Sequence, residues 1–142
     1  MRTLLLVLLL PLAAGCATLA DGIDPSSVDG TDTLVLYLED QGFTLEPSGL
    51  SSSVVPITTA VTYRVAGVAS PALLEVFEFE HEAAAEAGLV QLRAEIRPRV
   101  RQAIYARGPL VVYARPETYG QPEDGRLRRA LASALGSPRT GA

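Results

Sequence analysis

The stretch that most constrains the fold is residues 101–116, RQAIYARGPLVVYARP. Two segments rich in β-branched and aromatic residues, 102–107 and 110–115, flank Gly108 and Pro109. Glycine supplies the positive φ that a type II′ turn requires at its first central position, and proline fits the negative φ of the next position. The pattern predicts an antiparallel β-hairpin. Because polar residues scarcely alternate with apolar ones, we expect this hairpin at the centre of a sheet.

Two further segments, residues 58–67 and 71–80, predict a second hairpin. Both are rich in β-branched or aromatic residues, and a short turn separates them. Ahead of them, residues 43–47 (FTLEP) predict a short strand, and residues 48–53 (SGLSSS) predict a loop. Three strands therefore precede the hairpin around Gly108.

Two amphipathic helices are predicted, one at residues 81–97 and one within residues 123–138, where Pro138 prevents its extension. Pro98 ends the first, and acidic residues near its start and arginines near its end favour the helix dipole. Gly88 is expected to weaken this helix slightly. Gly136 is a C-cap for the second helix. The apolar stripe of the first helix comprises Ala85, Leu89, Leu92 and Ile96, and that of the second comprises Leu127, Leu131, Ala134 and Leu135.

Residues 32–43 (DTLVLYLEDQGF) fit two structures. As a helix, capped by Thr31 or Asp32 and ended by Gly42, they present one mostly apolar face. The LVLYL run also fits a buried strand. The helical alternative gives the order α-β-β-β-α-β-β-α, which predicts an α+β fold: a single, mainly antiparallel five-stranded sheet with helices packed on one face. The face of this helix comprises Leu34, Tyr37, Leu38 and Gln41.

The N-terminus has the features of a secretory signal peptide. Met1 and Arg2 give a positive start, residues 4–10 are an unbroken apolar run, and small residues follow Pro11. The apolar run is too short to remain as a membrane-spanning helix. The sequence therefore predicts that residues 1–15 are a leader and that the rest of the chain is exported.

Residues 13–16 (AAGC) resemble a bacterial lipobox. The resemblance implies that Cys16 carries a diacylglyceryl thioether, that the leader is cleaved between Gly15 and Cys16, and that the new amino group is acylated. The alternative is an ordinary signal peptide with an incidental cysteine. Ala17, where Asp would signal retention, implies the outer membrane, facing the periplasm, in a Gram-negative organism. Otherwise the anchor lies at the outer face of the cell membrane.

A flexible tether is predicted to follow the cysteine. Residues 16–31 are rich in Gly, Asp, Ser and Pro and have no sustained apolar period. A coil of this length spans about 20 Å on average. The alternative is an extended arm packed on the domain through Ile23 and Val28. Residues 32–136 then form one small α+β domain, and residues 137–142 form a C-terminal tail.

Several phrases along residues 33–138 resemble a group of uncharacterised bacterial lipoproteins. Members share G-x-x-x-E after a first helix, then V-x-G, V-x-V-F-E-Y, a second helix, a hairpin of the type Y-x-R-G-x-L-V-V-L-Y, and a final helix ending in L-G-x-P. The corresponding residues are 42–46 (GFTLE), 65–67 (VAG), 74–79 (LEVFEF), 104–113 (IYARGPLVVY) and 135–138 (LGSP). The resemblance implies the fold class, export and lipidation, and it favours a helix for the first segment. It carries no functional residues.

The charge balance narrows the classes of partner. The net charge is −4, from 16 acidic and 12 basic residues, and every basic residue is an arginine. This mild acidity argues against nucleic acid as a partner, because nucleic-acid binders carry a basic excess. The densest basic stretch is a candidate contact for an anionic partner, and it comprises Arg93, Arg97, Arg99 and Arg101. The alternative is that this stretch is a solvated helix end with Glu95 nearby.

The sequence offers few candidates for catalysis or metal binding. His81 is the only histidine, and we expect it to cap a helix or to be solvated. No nucleophile elbow and no phosphate-binding glycine loop is present in the sequence. We therefore expect no catalytic residue, no metal and no cofactor. Two weaker alternatives are carboxylate chemistry or Ca²⁺ binding at Glu75, Glu78, Glu80 and Glu82, and a polar-aromatic patch of Tyr105, Arg107 and Tyr113.

These observations favour a lipid-anchored, extracytoplasmic, non-enzymatic domain. Its membrane contact is the lipid on Cys16, and its expected partner is another envelope protein or a glycan, unless its role is structural. The alternative is a small-ligand-binding or inhibitory module whose sheet face forms a pocket. An enzyme is not favoured, because no set of acid, base and nucleophile is evident.

Overall fold

The computed structural model describes residues 22–50, 59–95, 102–118, 120–121 and 124–139. The predicted α+β class and order of elements are confirmed, and the ambiguous first segment is a helix. In chain order the elements are a short 3₁₀ turn (Pro25–Ser27), α1 (Thr31–Asp40), β1 (Thr44–Leu50), β2 (Thr59–Ala66), β3 (Ala72–Glu78), α2 (Glu82–Glu95), β4 (Ala103–Arg107), β5 (Leu110–Pro116) and α3 (Gly125–Leu135).

The five strands form one antiparallel sheet in the order β1-β2-β3-β5-β4. The hairpin turn between β4 and β5 has Gly108 at φ +53°, in the left-handed region that glycine enters without strain. β1 is longer than predicted, since part of the expected loop continues the strand to Leu50 after a register shift between Pro47 and Gly49. Proline suits this position because β1 is an edge strand.

The β4–β5 hairpin is not central, which corrects the expectation from its apolar sequence. β3 is the middle strand, and β4 lies at the edge opposite β1. Both faces of β4 are nevertheless buried, because Tyr105 packs with one core cluster and Ile104 with another. Apolar residues on both faces of a strand therefore indicate that both faces are covered. They do not indicate where the strand lies in the sheet.

The larger core cluster lies between one face of the sheet and helices α1 and α3. Tyr105, Leu34 and Leu131 are fully buried within it. The predicted apolar faces of both helices point into this cluster, except that Gln41 is exposed. Its strand residues include Val65 on β2, Leu74 and Val76 on β3, and Leu110 and Val112 on β5.

Helix α2 packs on the opposite face, so the expected placement of helices on one face holds for α1 and α3 only. Three residues of its predicted stripe, Ala85, Leu89 and Leu92, are buried there; Ile96 lies outside the described residues. Successive side chains of a strand point to opposite faces of the sheet. Because β3 and β5 carry apolar residues on both faces, α2 finds an apolar surface on the face opposite α1 and α3. The sheet residues under α2 are Phe77, Ile104, Ala106, Val111 and Tyr113, and Phe79 joins them just after β3.

The part of this face nearest β1 carries charged side chains in pairs. The Arg64 guanidinium contacts Glu117 at 2.9 Å and Glu46 at 3.8 Å. Arg115 contacts Glu75 at 3.2 Å. Ion pairs that stay accessible to solvent contribute little to stability. Their effect here is to pair the charges on the sheet surface beside α2.

The N-terminal arm, residues 22–30, packs on the domain, which corrects the tether prediction for these residues. Val28 is 2% exposed and belongs to the larger core cluster, and Ile23 packs against that cluster. The Ile23 N–H donates to a carboxylate oxygen of Asp40 at 3.1 Å. The expected tether is thus shortened to residues 16–21, which lie outside the described residues.

The predicted C-terminal tail is attached to the domain over its first residues. The Arg139 N–H donates to the Ile104 carbonyl at 2.6 Å, at the free edge of β4. The Arg139 guanidinium also reaches Glu86 on α2 at 3.5 Å. Residues 137–139 therefore belong to the domain, and residues 140–142 lie outside the described residues.

Candidate functional site

A groove of about 290 Å³ opens between α1 and α3 on the surface of the protein. Its floor is aromatic, since Phe43 and Tyr37 both lie in the larger core cluster with little exposed surface. Its rim is basic, from two exposed arginines one turn apart on α3, Arg126 and Arg129. The lining comprises Tyr37, Gln41, Phe43, Arg126, Arg129, Ala130 and Ser133.

Arg126 is held in place over the aromatic floor. Its guanidinium carbon lies 5.2 Å from the centre of the Phe43 ring, within range of a cation–π interaction. Its Nη2 donates to the Gln41 carbonyl, at the C-terminus of α1, at 3.2 Å. Neither Arg126 nor Arg129 forms an ion pair with a carboxylate in the described part of the chain. The groove therefore presents two guanidinium groups able to accept an anion.

Of the four arginines that the sequence predicted as a contact for an anionic partner, only Arg93 lies among the described residues. Arg93, near the end of α2, donates from Nη2 to the carbonyl of Arg139 and thereby holds the C-terminal segment. Arg97, Arg99 and Arg101 lie outside the described residues. Arg126 and Arg129 were not among the predicted site residues, because only the apolar stripe of this helix was used to predict its role. Their separation of three residues was the available signal, because it places both on one helix face.

Arg107, at the end of β4, fastens the N-terminal arm to α3. Its Nη1 donates to the carbonyls of Pro25 at 3.0 Å and Ala134 at 2.7 Å, and its Nη2 donates to the Ser26 carbonyl at 2.9 Å. A cation at the carbonyl end of a helix also favours the helix dipole. The predicted polar-aromatic patch does not form: Tyr105 and Arg107 lie on the face of the sheet opposite Tyr113.

His81 is a helix cap, as predicted. Its Nδ1 accepts a hydrogen bond from the Ala84 N–H at 3.1 Å, and its carbonyl accepts the bond from Ala85 that begins α2. The side chain is exposed. The imidazole thus satisfies one of the unpaired N–H groups at a helix start.

The four candidate carboxylates do not converge. Glu75 lies on the α2 face of the sheet and pairs with Arg115, whereas Glu78 serves α1 on the other face. One oxygen of Glu78 accepts from the Thr31 N–H at 2.8 Å and from the Thr31 hydroxyl at 2.5 Å. Glu80 and Glu82 are exposed. The pair needed for carboxylate chemistry is not assembled from these residues.

The contacts between Glu78 and Thr31 lie at the start of α1, where the predicted cap was wrong. The N-cap is Gly30, not Thr31 or Asp32. The Thr33 hydroxyl oxygen accepts from the N–H groups of Gly30 at 3.0 Å and Asp29 at 3.1 Å. The Glu78 carboxylate, brought from β3, supplies the negative charge that the helix N-terminus favours. A long-range partner thus replaces the local cap that the sequence suggested.

A second, acidic cleft of about 480 Å³ lies beside this helix start. It includes Asp29, Asp32, Glu78 and Tyr63. Burial, and to a smaller extent the charge of Asp32, raise the pKa of Tyr63 above its ordinary value. The tyrosine therefore keeps its proton at neutral pH and adds no charge to the cleft.

Asp124 joins the start of α3 to the turn between β2 and β3. Its Oδ1 accepts from the N–H groups of Arg126 at 2.8 Å and Leu127 at 3.1 Å, and its Oδ2 accepts from the Ala69 N–H at 3.1 Å. Burial pushes the pKa of this carboxyl upward, but the three N–H donors and the Arg126 charge together lower it below its ordinary value. The ionised form is therefore the one that the fold stabilises.

Replacing Asp124 with Ala is expected to lower the free energy of unfolding by about 1–2 kcal/mol, because the N-cap and the loop contact are both lost. Because the folded pKa is depressed, the charge-dependent part of this stabilisation is present above about pH 4 and is lost as the pH falls through the folded pKa. Urea unfolding of the parent and Asp124→Asn, at neutral pH and at about pH 3, measures this part. A stability difference that stays constant between the two pH values contradicts the assignment.

The described residues contain neither a long apolar helix able to cross a membrane nor a group of three or more His, Cys, Asp or Glu side chains placed to hold a metal ion. Gly15 and Cys16, the predicted cleavage and lipidation positions, lie outside these residues. No protein-family model, curated protein or solved structure is significantly similar to this chain.

Proposed function

We propose that this chain is a bacterial lipoprotein: a lipid-anchored, extracytoplasmic domain that binds another component of the cell envelope and catalyses no reaction. The observation that carries the proposal is Cys16, placed directly after an apolar leader and the small residues Ala13, Ala14 and Gly15. Its basis is the resemblance of residues 13–16 to a lipobox, since no family model, curated protein or solved structure matches the chain. The proposal therefore rests on the leader and on the chemistry of the described domain.

The anchor is strong enough to fix the protein at a membrane. Each buried CH₂ of an acyl chain contributes about 0.8 kcal/mol, and a single short chain binds only marginally. Two or three chains on one cysteine together give stable attachment. Cys16, the only cysteine of the chain, would then be a thioether with no free thiol for redox or metal chemistry.

The packed arm makes the connection between lipid and domain short. Only residues 17–21 separate Cys16 from Gly22, where the described domain begins. Fully extended, this connection reaches about 20 Å. A domain of this length has a diameter of about 35 Å. The lipid therefore holds the domain against the bilayer, on the side where Gly22 leaves it.

Three of the side chains that the sequence offered for catalysis have structural partners in the described domain. His81 caps α2, Glu78 holds the start of α1, and Glu75 pairs with Arg115. These contacts favour a role in binding or structure over catalysis, because a catalytic acid or base has to face a substrate. An envelope protein or a glycan remains the proposed partner class.

Replacing Cys16 with Ser should release the protein from membranes, because a serine oxygen does not replace the sulfur that the lipobox modifies. We expect the parent in the membrane pellet after a carbonate wash and the variant in the supernatant. Thr18→Ser, two residues away in the same connection, is the matched control and should stay in the pellet. A Cys16→Ser protein that remains in the washed pellet contradicts the lipid anchor.

A further inference from the structure

From the position of the groove between α1 and α3 we infer that it binds the head group of an anionic phospholipid in the membrane that holds the anchor. This inference deepens the proposed function and rests on it. Three observations support this inference: the charges of the groove, the place where the chain leaves the domain, and the length of the connection to the lipid.

The groove lies next to the exit of the chain. Gly22 sits against the Asp40 carboxylate, since a Cβ built on this glycine would lie 3.0 Å from Asp40 Oδ2. The neighbouring residue Gln41 lines the groove. Because the connection to Cys16 reaches about 20 Å, the surface around this exit stays near the bilayer, and the far side of the domain cannot reach it.

The groove has the charge and the shape that a phosphodiester head group requires. Arg126 and Arg129 provide guanidinium groups, which match phosphate oxygens in geometry and charge. Phe43 and Tyr37 line the floor of the groove beneath these guanidinium groups. The nearby acids are engaged: Asp40 accepts from Ile23, and Asp124 accepts from three N–H groups.

The membrane supplies this ligand at high local concentration. A tethered protein samples the bilayer surface continually, so that even a weak head-group site is occupied. Occupation would add a second attachment beside the lipid of Cys16 and would fix the orientation of the domain. The α2 face and its paired charges would then point away from the bilayer, toward a partner.

A soluble short-chain phosphatidylglycerol tests the site without the anchor, because it does not require a bilayer. The full chain is titrated with this lipid, and binding is followed by the amide signals of α3. Each arginine near a lipid phosphate contributes about a fivefold gain in affinity, so Arg126→Gln/Arg129→Gln is expected to bind about 30-fold more weakly. Arg64→Gln/Arg115→Gln removes two arginines from the opposite sheet face and should bind as the parent does.

Three outcomes overturn the inference. The first is that short-chain phosphatidylcholine binds as tightly as the phosphatidylglycerol. The second is that the two double variants lose the same amount of affinity. The third is that inorganic phosphate binds as tightly as the lipid, which would make free phosphate the ligand. Arg129→Gln alone, which keeps the Arg126 contacts to Gln41 and Phe43, reports on the site if the double variant fails to fold, and is expected to bind about fivefold more weakly. The titration and the release of Cys16→Ser can fail independently, so the two proposals are tested separately.

Discussion

Leu131→Asp is expected to unfold the domain. Leu131 is fully buried on α3, in the cluster between α1, α3 and the sheet. Truncation of such a leucine to alanine costs about 2–5 kcal/mol, and an ionisable carboxyl in the same place adds the cost of leaving water without a partner. Small domains have only about 5–15 kcal/mol of total stability. We expect no cooperative thermal transition by circular dichroism and rapid proteolysis of the variant.

Ser133→Asp is the matched control for this substitution. It adds the same charge two residues away on α3, at an exposed position. Its expected cost is within about 1 kcal/mol, from an acid near the C-terminal end of a helix. If Leu131→Asp melts at the parent temperature, α3 does not pack on the sheet as described.

Gly88→Ala is expected to destabilise the domain by about 2 kcal/mol, against the usual preference of helices for alanine. In an ordinary helix this change gains about 1 kcal/mol. Here a Cβ on Gly88 would lie 2.3 Å from Cζ and 2.4 Å from Cε1 of Phe79. Phe79 is a buried ring in the cluster under α2, so relief of this contact requires its neighbours in that cluster to shift. Overpacking of this kind costs about 1–3 kcal/mol, and the short distance places the cost near the top of that range.

Two further variants make this test specific for the α2 contact. Gly125→Ala, at the start of α3, adds a Cβ that meets only the Arg129 side chain at 3.5 Å, and it should leave the unfolding free energy unchanged or raise it. Phe79→Leu should cost less in the Gly88→Ala background than in the parent, because the smaller side chain relieves the clash. Urea denaturation is measured for the parent, the three single variants and the Gly88→Ala/Phe79→Leu double variant. A Gly88→Ala protein more stable than the parent contradicts the packing of α2 on Phe79.

Local patterns were sufficient to predict the elements. The β-branched and aromatic content of β2 and β3, the Gly108 turn and the apolar stripes of the two amphipathic helices depend on residues a few positions apart, which the sequence displays directly. The side of the sheet that each helix covers depends on distant strands. The run Val111–Val112–Tyr113, apolar on both faces, was the signal that helices cover both.

The errors share one physical cause, which is dependence on partners far along the chain. The close packing at Gly88 was not visible in the pattern of α2, because it comes from Phe79, which lies outside that helix, just after β3. The N-terminal arm looked like a tether because the Arg107 contacts that fix it lie about 80 residues away. The groove arginines face residues of α1, and no local pattern reveals that neighbour.

The most direct test of the central claim, that this is an anchored lipoprotein, is mass spectrometry of the mature N-terminus of protein isolated from its own cells. We expect an N-terminal peptide that begins at Cys16 and carries a diacylglyceryl thioether, with residues 1–15 removed. A cytosolic chain that retains residues 1–15 and a free Cys16 thiol would contradict the account.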